Sequence, residues 1–251
     1  MTARWMVVAA VLVLTAGCGG AAPASGVTGE VTVFAAASLT ESFTAIGKDF
    51  EAADPGTKVT FNFAGSSALA TQITQGAPAD VFAAASPNTM KTVTDAGLAG
   101  GDATVFVRNQ LVIVVPKGNP RHVAGLADLT KPGVKVALCA QQVPCGAAAK
   151  QALAAAGVAL TPVTLEQDVK GALSKAKLGE VDAALVYRTD AKAAAGDVDA
   201  VEFPESATAI NDYPIVVLKH AAHQAAARAF VAYVRSDAGR DVLTSAGFLA
   251  P

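Results

Sequence analysis

Short apolar runs alternate with helix-spaced segments along most of the chain, and this alternation limits the fold more than any other feature. Val31-Thr32-Val33-Phe34-Ala35-Ala36 is mostly apolar, the pattern of a strand covered on both faces in a parallel sheet. Ser38 with Glu41 predicts a capping box, and Leu39, Phe43, Ile46 and Phe50 follow at helical spacing. That helix is expected to end before Asp54-Pro55-Gly56. A strand at 58–63, a helix capped by Ser66 or Ser67 and a strand at 80–84 repeat the unit. Further strands are read at 110–116, 134–138, 183–187 and 215–218, with helices from Pro144 to about Ala156, from the cap Asp168 to about Leu178, and over 222–236 and 239–247. Such alternation predicts an α/β fold with parallel sheets. The ordered length accommodates two α/β lobes, expected at 31–110 plus 214–251 and at 111–213.

Composition narrows the function. Of 251 residues, 52% are hydrophobic and 16% charged, with a formal charge of -2. A mean hydropathy of +0.41 argues against a disordered chain. The near-neutral balance offers no basic surface for nucleic acid.

The first 17 residues read as a removable secretory leader: Arg4, an apolar run from Trp5 to Leu14 too short for an ordinary membrane span, then small residues. Leu14-Thr15-Ala16-Gly17-Cys18 resembles a bacterial lipobox, which implies lipidation of Cys18 and an anchor on the outer face of a membrane. The plain alternative is an ordinary signal with a chance cysteine. Residues 18–30 read as a flexible tether. The other cysteines, Cys139 and Cys145, are readable as a disulfide in an oxidising compartment, with free buried thiols as the alternative. A metal site would need more ligands than these two.

Enzyme signatures are absent from the sequence: no Gly-x-Ser-x-Gly elbow, no P-loop, no dinucleotide fingerprint. A serine nucleophile at Ser38 or Ser66 would need a base, and His122, His220 and His223 all lie far away in sequence. Anion binding is the stronger reading. A helix N-terminus carries free N–H groups and the positive end of the helix dipole, and Ser38 and Ser66 stand at successive strand-to-helix turns. Both could instead serve only as helix caps. Asp168 is read as a cap, and Asp80 and Asp190 as loop or hinge structure.

Phe34-Ala35-Ala36-Ala37-Ser38-Leu39, Asn62-Phe63-Ala64-Gly65-Ser66-Ser67 and the stretch Gln72 to Phe82 resemble the periplasmic molybdate-binding protein family of ABC importers. Asp168-Val169-Lys170-Gly171-Ala172-Leu173, Val186-Tyr187-Arg188-Thr189-Asp190-Ala191 and Tyr213-Pro214-Ile215-Val216-Val217 extend the resemblance over the chain from Val31. It implies a two-lobed type II periplasmic binding protein fold with a ligand cleft between the lobes. It also implies the ligand set: Ser38 and Ser66 through hydroxyl and backbone, Cys145 and Val169 through backbone N–H, and Tyr187 through its hydroxyl. The ligand would be molybdate or tungstate, with molybdenum present only inside the oxyanion and no protein–metal bond. No further cofactor is implied. The implied partners are the importer's permease and ATPase, and a monomer suits this delivery. The run Leu138-Cys139-Ala140-Gln141-Gln142-Val143-Pro144-Cys145-Gly146 departs from the family pattern, which leaves anion preference open. Sulfate or thiosulfate on the same fold, an oxyanion sensor or adhesin, and a secreted hydrolase are the competing readings.

Overall fold

A computed structural model describes residues 26–251. The leader, Cys18 and most of the tether lie outside the described residues. Gly29 and Glu30, assigned to the tether by sequence, are strand: β1 (Gly29–Ala36) pairs in parallel with β2 (Thr57–Ala64) from Gly29 onward. Between them runs α1 (Thr40–Ala53), whose Phe43, Ile46 and Phe50 are buried. Then come α2 (Ser66–Thr74), β3 (Val81–Ala83), α3 (Pro87–Asp95) and β4 (Thr104–Asn109). After a single intervening residue the chain enters β5 (Leu111–Pro116), followed by β6 (Val136–Cys139), α4 (Pro144–Ala155), β7 (Thr164–Glu166) and α5 (Val169–Lys177). The remaining elements are β8 (Ala183–Tyr187), α6 (Arg188–Ala193), β9 (Val198–Val201), β10 (Asn211–Val217), α7 (Gln224–Arg235) and α8 (Asp237–Ala246).

The strands form two five-stranded sheets, ordered β2-β1-β3-β10-β4 and β7-β6-β8-β5-β9. The chain therefore passes from the first sheet to the second between β4 and β5 and returns at β10. The sheets are mixed, which corrects the all-parallel expectation. β10 runs antiparallel to β3 and β4, and β5 antiparallel to β8 and β9. The reason is the crossing itself. A strand that carries the chain from one sheet to the other enters without a crossover helix, so nothing forces it parallel to its neighbours. Within each sheet the strands joined through helices, β1-β2-β3 and β6-β7-β8, stay parallel.

Both sheets are covered on two faces, which accounts for the continuous apolar strands. Leu111 to Val115 are all fully buried. Phe43, Phe50, Phe61 and Phe230 cluster against the first sheet, with Phe43 and Phe230 edge-to-face at 6.0 Å and Phe50 and Phe230 at 5.6 Å. On the other face Phe34, Leu69, Phe82, Met90 and Val216 form a separate cluster. Among the described residues no helix is long and apolar enough to cross a membrane.

Candidate functional site

The strand-to-helix turns of both sheets meet at the carboxyl ends of the parallel strands. The first turn follows β1. Sequence reading makes Ser38 a helix cap, but the structure does not. Ala37–Leu39 is a 3-10 turn, α1 begins at Thr40, and neither segment has a side-chain cap. Ser38 is buried and its Oγ lies 2.8 Å from Tyr213 Oη. Glu41, its expected capping-box partner, pairs with Lys170 instead. At the second turn Gly65 is the N-cap and Ser66 the first residue of α2. Ser66 Oγ accepts from the Ala85 N–H at 2.9 Å. A hydroxyl that accepts inside the protein keeps its own hydrogen to donate. A Cβ on Gly65 would collide with the Gln167 carbonyl, so glycine lets the second-sheet half approach there.

The third and fourth turns belong to the second sheet. Pro144 opens α4, where its missing N–H costs nothing. Cys145 follows, joined to Cys139 by a disulfide with a Cα–Cα distance of 5.7 Å. The bridge closes the loop 140–144, and a Cβ on Gly146 would strike the Ala140 carbonyl. Asp168 caps α5 as expected, accepting from the Gly171 N–H at 2.9 Å, and Val169 is the first helical residue. Tyr187 ends β8 and precedes α6.

Ser38, Ser66, Cys145, Val169 and Tyr187 all line one cavity of about 20 Å³, together with Gly65, Ala85 and Asp168. That space admits only a small group and no extended solute. The five residues are all buried. Cys145 and Val169 stand in the first turns of α4 and α5, where backbone N–H groups lack intrahelical partners. No lysine or arginine lines the cavity.

Tyr187 supplies the sharpest detail. Its hydroxyl is fully buried and makes no well-formed hydrogen bond, although Tyr213 and Asn211 lie close enough to interact with it. Leaving such a group unpaired costs about 1–3 kcal/mol, a cost that an acceptor in the cavity would remove. Burial, with the neighbouring Tyr213 and Asp190, pushes the Tyr187 phenol well above its ordinary range, so it stays a neutral donor.

Behind the cavity lies a polar layer that sequence reading missed. Asn109 Nδ2 donates to Thr189 Oγ1 at 2.9 Å, and Asn211 Nδ2 donates to the Ala85 carbonyl at 2.7 Å. The only sequence signal for them was their place at the two expected junctions. Asp190, read as loop or hinge, lies in α6 and is fully buried. Burial pushes its carboxyl up to about 6, against the pull of the Lys170 ammonium 2.9 Å away. Burial alone would lower Lys170, but the carboxylates of Asp190 and Glu41 outweigh it and hold the ammonium above its ordinary range.

A much larger cavity, about 460 Å³, opens elsewhere on the first-sheet half and contains Asp80, His220 and His223. The Asp80 carboxylate is already committed to the N–H groups of Thr32 at 2.8 Å and Ala222 at 2.7 Å. Among the described residues no group of His, Cys, Asp and Glu side chains is arranged to hold a metal ion.

The sequence pattern of the bacterial extracellular solute-binding proteins matches residues 31–249. The chain belongs to that family. Its members bind solutes outside the cytoplasm, and the protein is accordingly a binding protein and not an enzyme. A molybdate-binding protein of Mycobacterium tuberculosis is 48% identical over 240 residues, covering 93% of this chain and 92% of that protein. The periplasmic molybdate-binding protein of Azotobacter vinelandii superposes with a TM-score of 0.77 at 20% identity, covering 88% of this chain and 99% of that one. The sulfate-binding protein SubI of Mycobacterium tuberculosis superposes with a TM-score of 0.74 at 20% identity, covering 87% and 86%. These likenesses place the fold among the type II periplasmic binding proteins.

Proposed function

We propose that the protein captures molybdate, and tungstate with it, outside the cytoplasm and delivers the anion to the permease and ATPase of an ABC importer. The observation that carries this reading is the convergence of Ser38, Ser66, Cys145, Val169 and Tyr187, from two separate sheets, on one small cavity where the buried Tyr187 hydroxyl makes no well-formed hydrogen bond within the protein. The 48% identical molybdate-binding relative supports the choice of anion.

The mechanism follows from the donor set. Three hydroxyls and the free N–H groups of helix starts all donate, and each hydrogen bond to a dianion is charge-assisted. The positive ends of the helix dipoles point the same way. Neutral donors hold the anion without a salt bridge. They also discriminate: a donor set does not accept the O–H of monohydrogen phosphate, and the one carboxylate lining the cavity, Asp168, is engaged in capping α5, so an unpaired O–H there is penalised by about 1–3 kcal/mol. Sulfate passes that filter, so only cavity size separates it from the larger molybdate and tungstate. An anion touched from both sheets favours the closed arrangement of the halves by differential binding. The moving lobes in this reading are 31–110 with 214–251, and 111–213, except that Gly29–Glu30 and Asn211–Tyr213 go with the first sheet as parts of β1 and β10. The protein works as a monomer with no resident cofactor, held to the membrane through a lipid on Cys18.

Calorimetric titration of mature, ligand-stripped protein tests the assignment. Tight one-to-one binding of molybdate and tungstate with weak sulfate and phosphate is expected. Tight sulfate binding would reassign the anion while keeping the site. No binding of any of the four by folded protein would overturn the reading.

A further inference from the structure

Lys170 follows Val169 in α5, and its ammonium sits between two carboxylates from different halves of the molecule. Its Nζ lies 2.9 Å from Asp190 Oδ1 and 2.8 Å from both oxygens of Glu41. The two pairs are not equivalent. Asp190 belongs to the second-sheet half with Lys170 and is fully buried. Neither of its side-chain oxygens makes a well-formed hydrogen bond, so the ammonium is what compensates this carboxylate. Separating them would strand a buried charge, and that contact must persist whatever the two halves do. Glu41 belongs to α1 of the first-sheet half, and its side chain is 53% exposed. Water can take it over when the halves part.

We infer that Lys170 is a closure-positioning residue: a cation fixed in one half by Asp190, to which Glu41 docks when the halves meet over the anion. The inference rests on the anion-capture reading. Two neighbouring contacts mark the same rim as the closing surface. Ser67 Oγ donates to the Gln142 carbonyl at 2.5 Å, and Gly65 lies against the Gln167 carbonyl. The contact stabilises only the closed state, so it acts on escape of the anion more than on its arrival. Because Glu41 and Lys170 are both partly solvated, the effect weakens with salt.

Glu41→Gln removes the docking charge and leaves Lys170 with Asp190. Molybdate dissociation is followed by stopped-flow tyrosine fluorescence at low and high ionic strength, since the only tryptophan, Trp5, lies in the leader. Glu41→Gln is expected to speed dissociation about 2- to 5-fold at low salt, with the difference closing at high salt. Glu41→Lys, which opposes like charges, is expected to speed it further. Neither change should shift the melting temperature of ligand-free protein as much as that of the loaded protein. Dissociation at the wild-type rate in both variants, or equal melting shifts with and without anion, would overturn the inference while leaving anion capture intact. A wild-type protein that binds no oxyanion would overturn both.

Discussion

The two walls of the cavity reach the same point by different chemistry. In the proposed binding, the first-sheet wall donates through side chains, Ser38 and Ser66, whose hydroxyls are already held by Tyr213 and by the Ala85 N–H. The second-sheet wall would donate mainly through backbone, at Cys145 and Val169, where the side chains are apolar. There the loop conformation is what must be fixed, and a disulfide and a glycine-tight turn fix it. Tyr187 is the exception on that side, a buried side-chain hydroxyl that makes no well-formed hydrogen bond within the protein. One wall is therefore sensitive to which residue is present, and the other to how the chain is bent.

The largest effect should come from bending the second wall. Gly146→Val places a side chain against the Ala140 carbonyl, and overpacking of this kind costs about 1–3 kcal/mol of stability. Thermal unfolding should show that loss and titration a more than tenfold weaker anion affinity, because the Cys145 N–H moves with the loop. Next is Tyr187→Phe, which should cost about 1–3 kcal/mol of affinity while leaving ligand-free stability nearly unchanged, since the hydroxyl it removes makes no well-formed hydrogen bond. A loss in titration without one in melting would separate a binding role from a structural one. Ser66→Ala should lower both, stability by about 1–3 kcal/mol through the stranded Ala85 N–H and affinity through the lost donor. Replacing both Cys139 and Cys145 by serine loosens the loop without removing its N–H. About 1 kcal/mol of affinity should be lost as ordering cost, and unchanged affinity would show that the bridge does not preorganise the site. Val169→Ala should be the mildest: the N–H remains, and the dissociation constant should stay within about threefold of wild type. A large effect there would break the distinction between the walls.

The sequence was most legible where local pattern and tertiary role coincide. Asp168 caps α5 because an aspartate at a helix start satisfies a free N–H in any surroundings. The buried strands were readable from continuous apolar runs such as Leu111 to Val115. Reading failed where a distant partner outbid a near one. Ser38 and Glu41 satisfy the pattern of a capping box, yet Ser38 bonds Tyr213, 175 positions away, and Glu41 is 129 positions from Lys170. β4 went unread because it is an edge strand with exposed Arg108, lacking the apolar run of its neighbours. Strand direction was also invisible, since nothing in β10 or β5 states which way a neighbour runs.

By itself the sequence determined the alternation of strands and helices and, at α4 and α5, the helix starts and the residue types placed there. These depend on spacing and on backbone groups within a turn of each other. Only the tertiary structure decided that five residues from two sheets close on one small cavity, that the Tyr187 hydroxyl is buried there without a well-formed hydrogen bond, and that Lys170 joins two halves. Those facts depend on contacts between residues far apart in the chain, and they are fixed by packing and by the need to compensate buried charge.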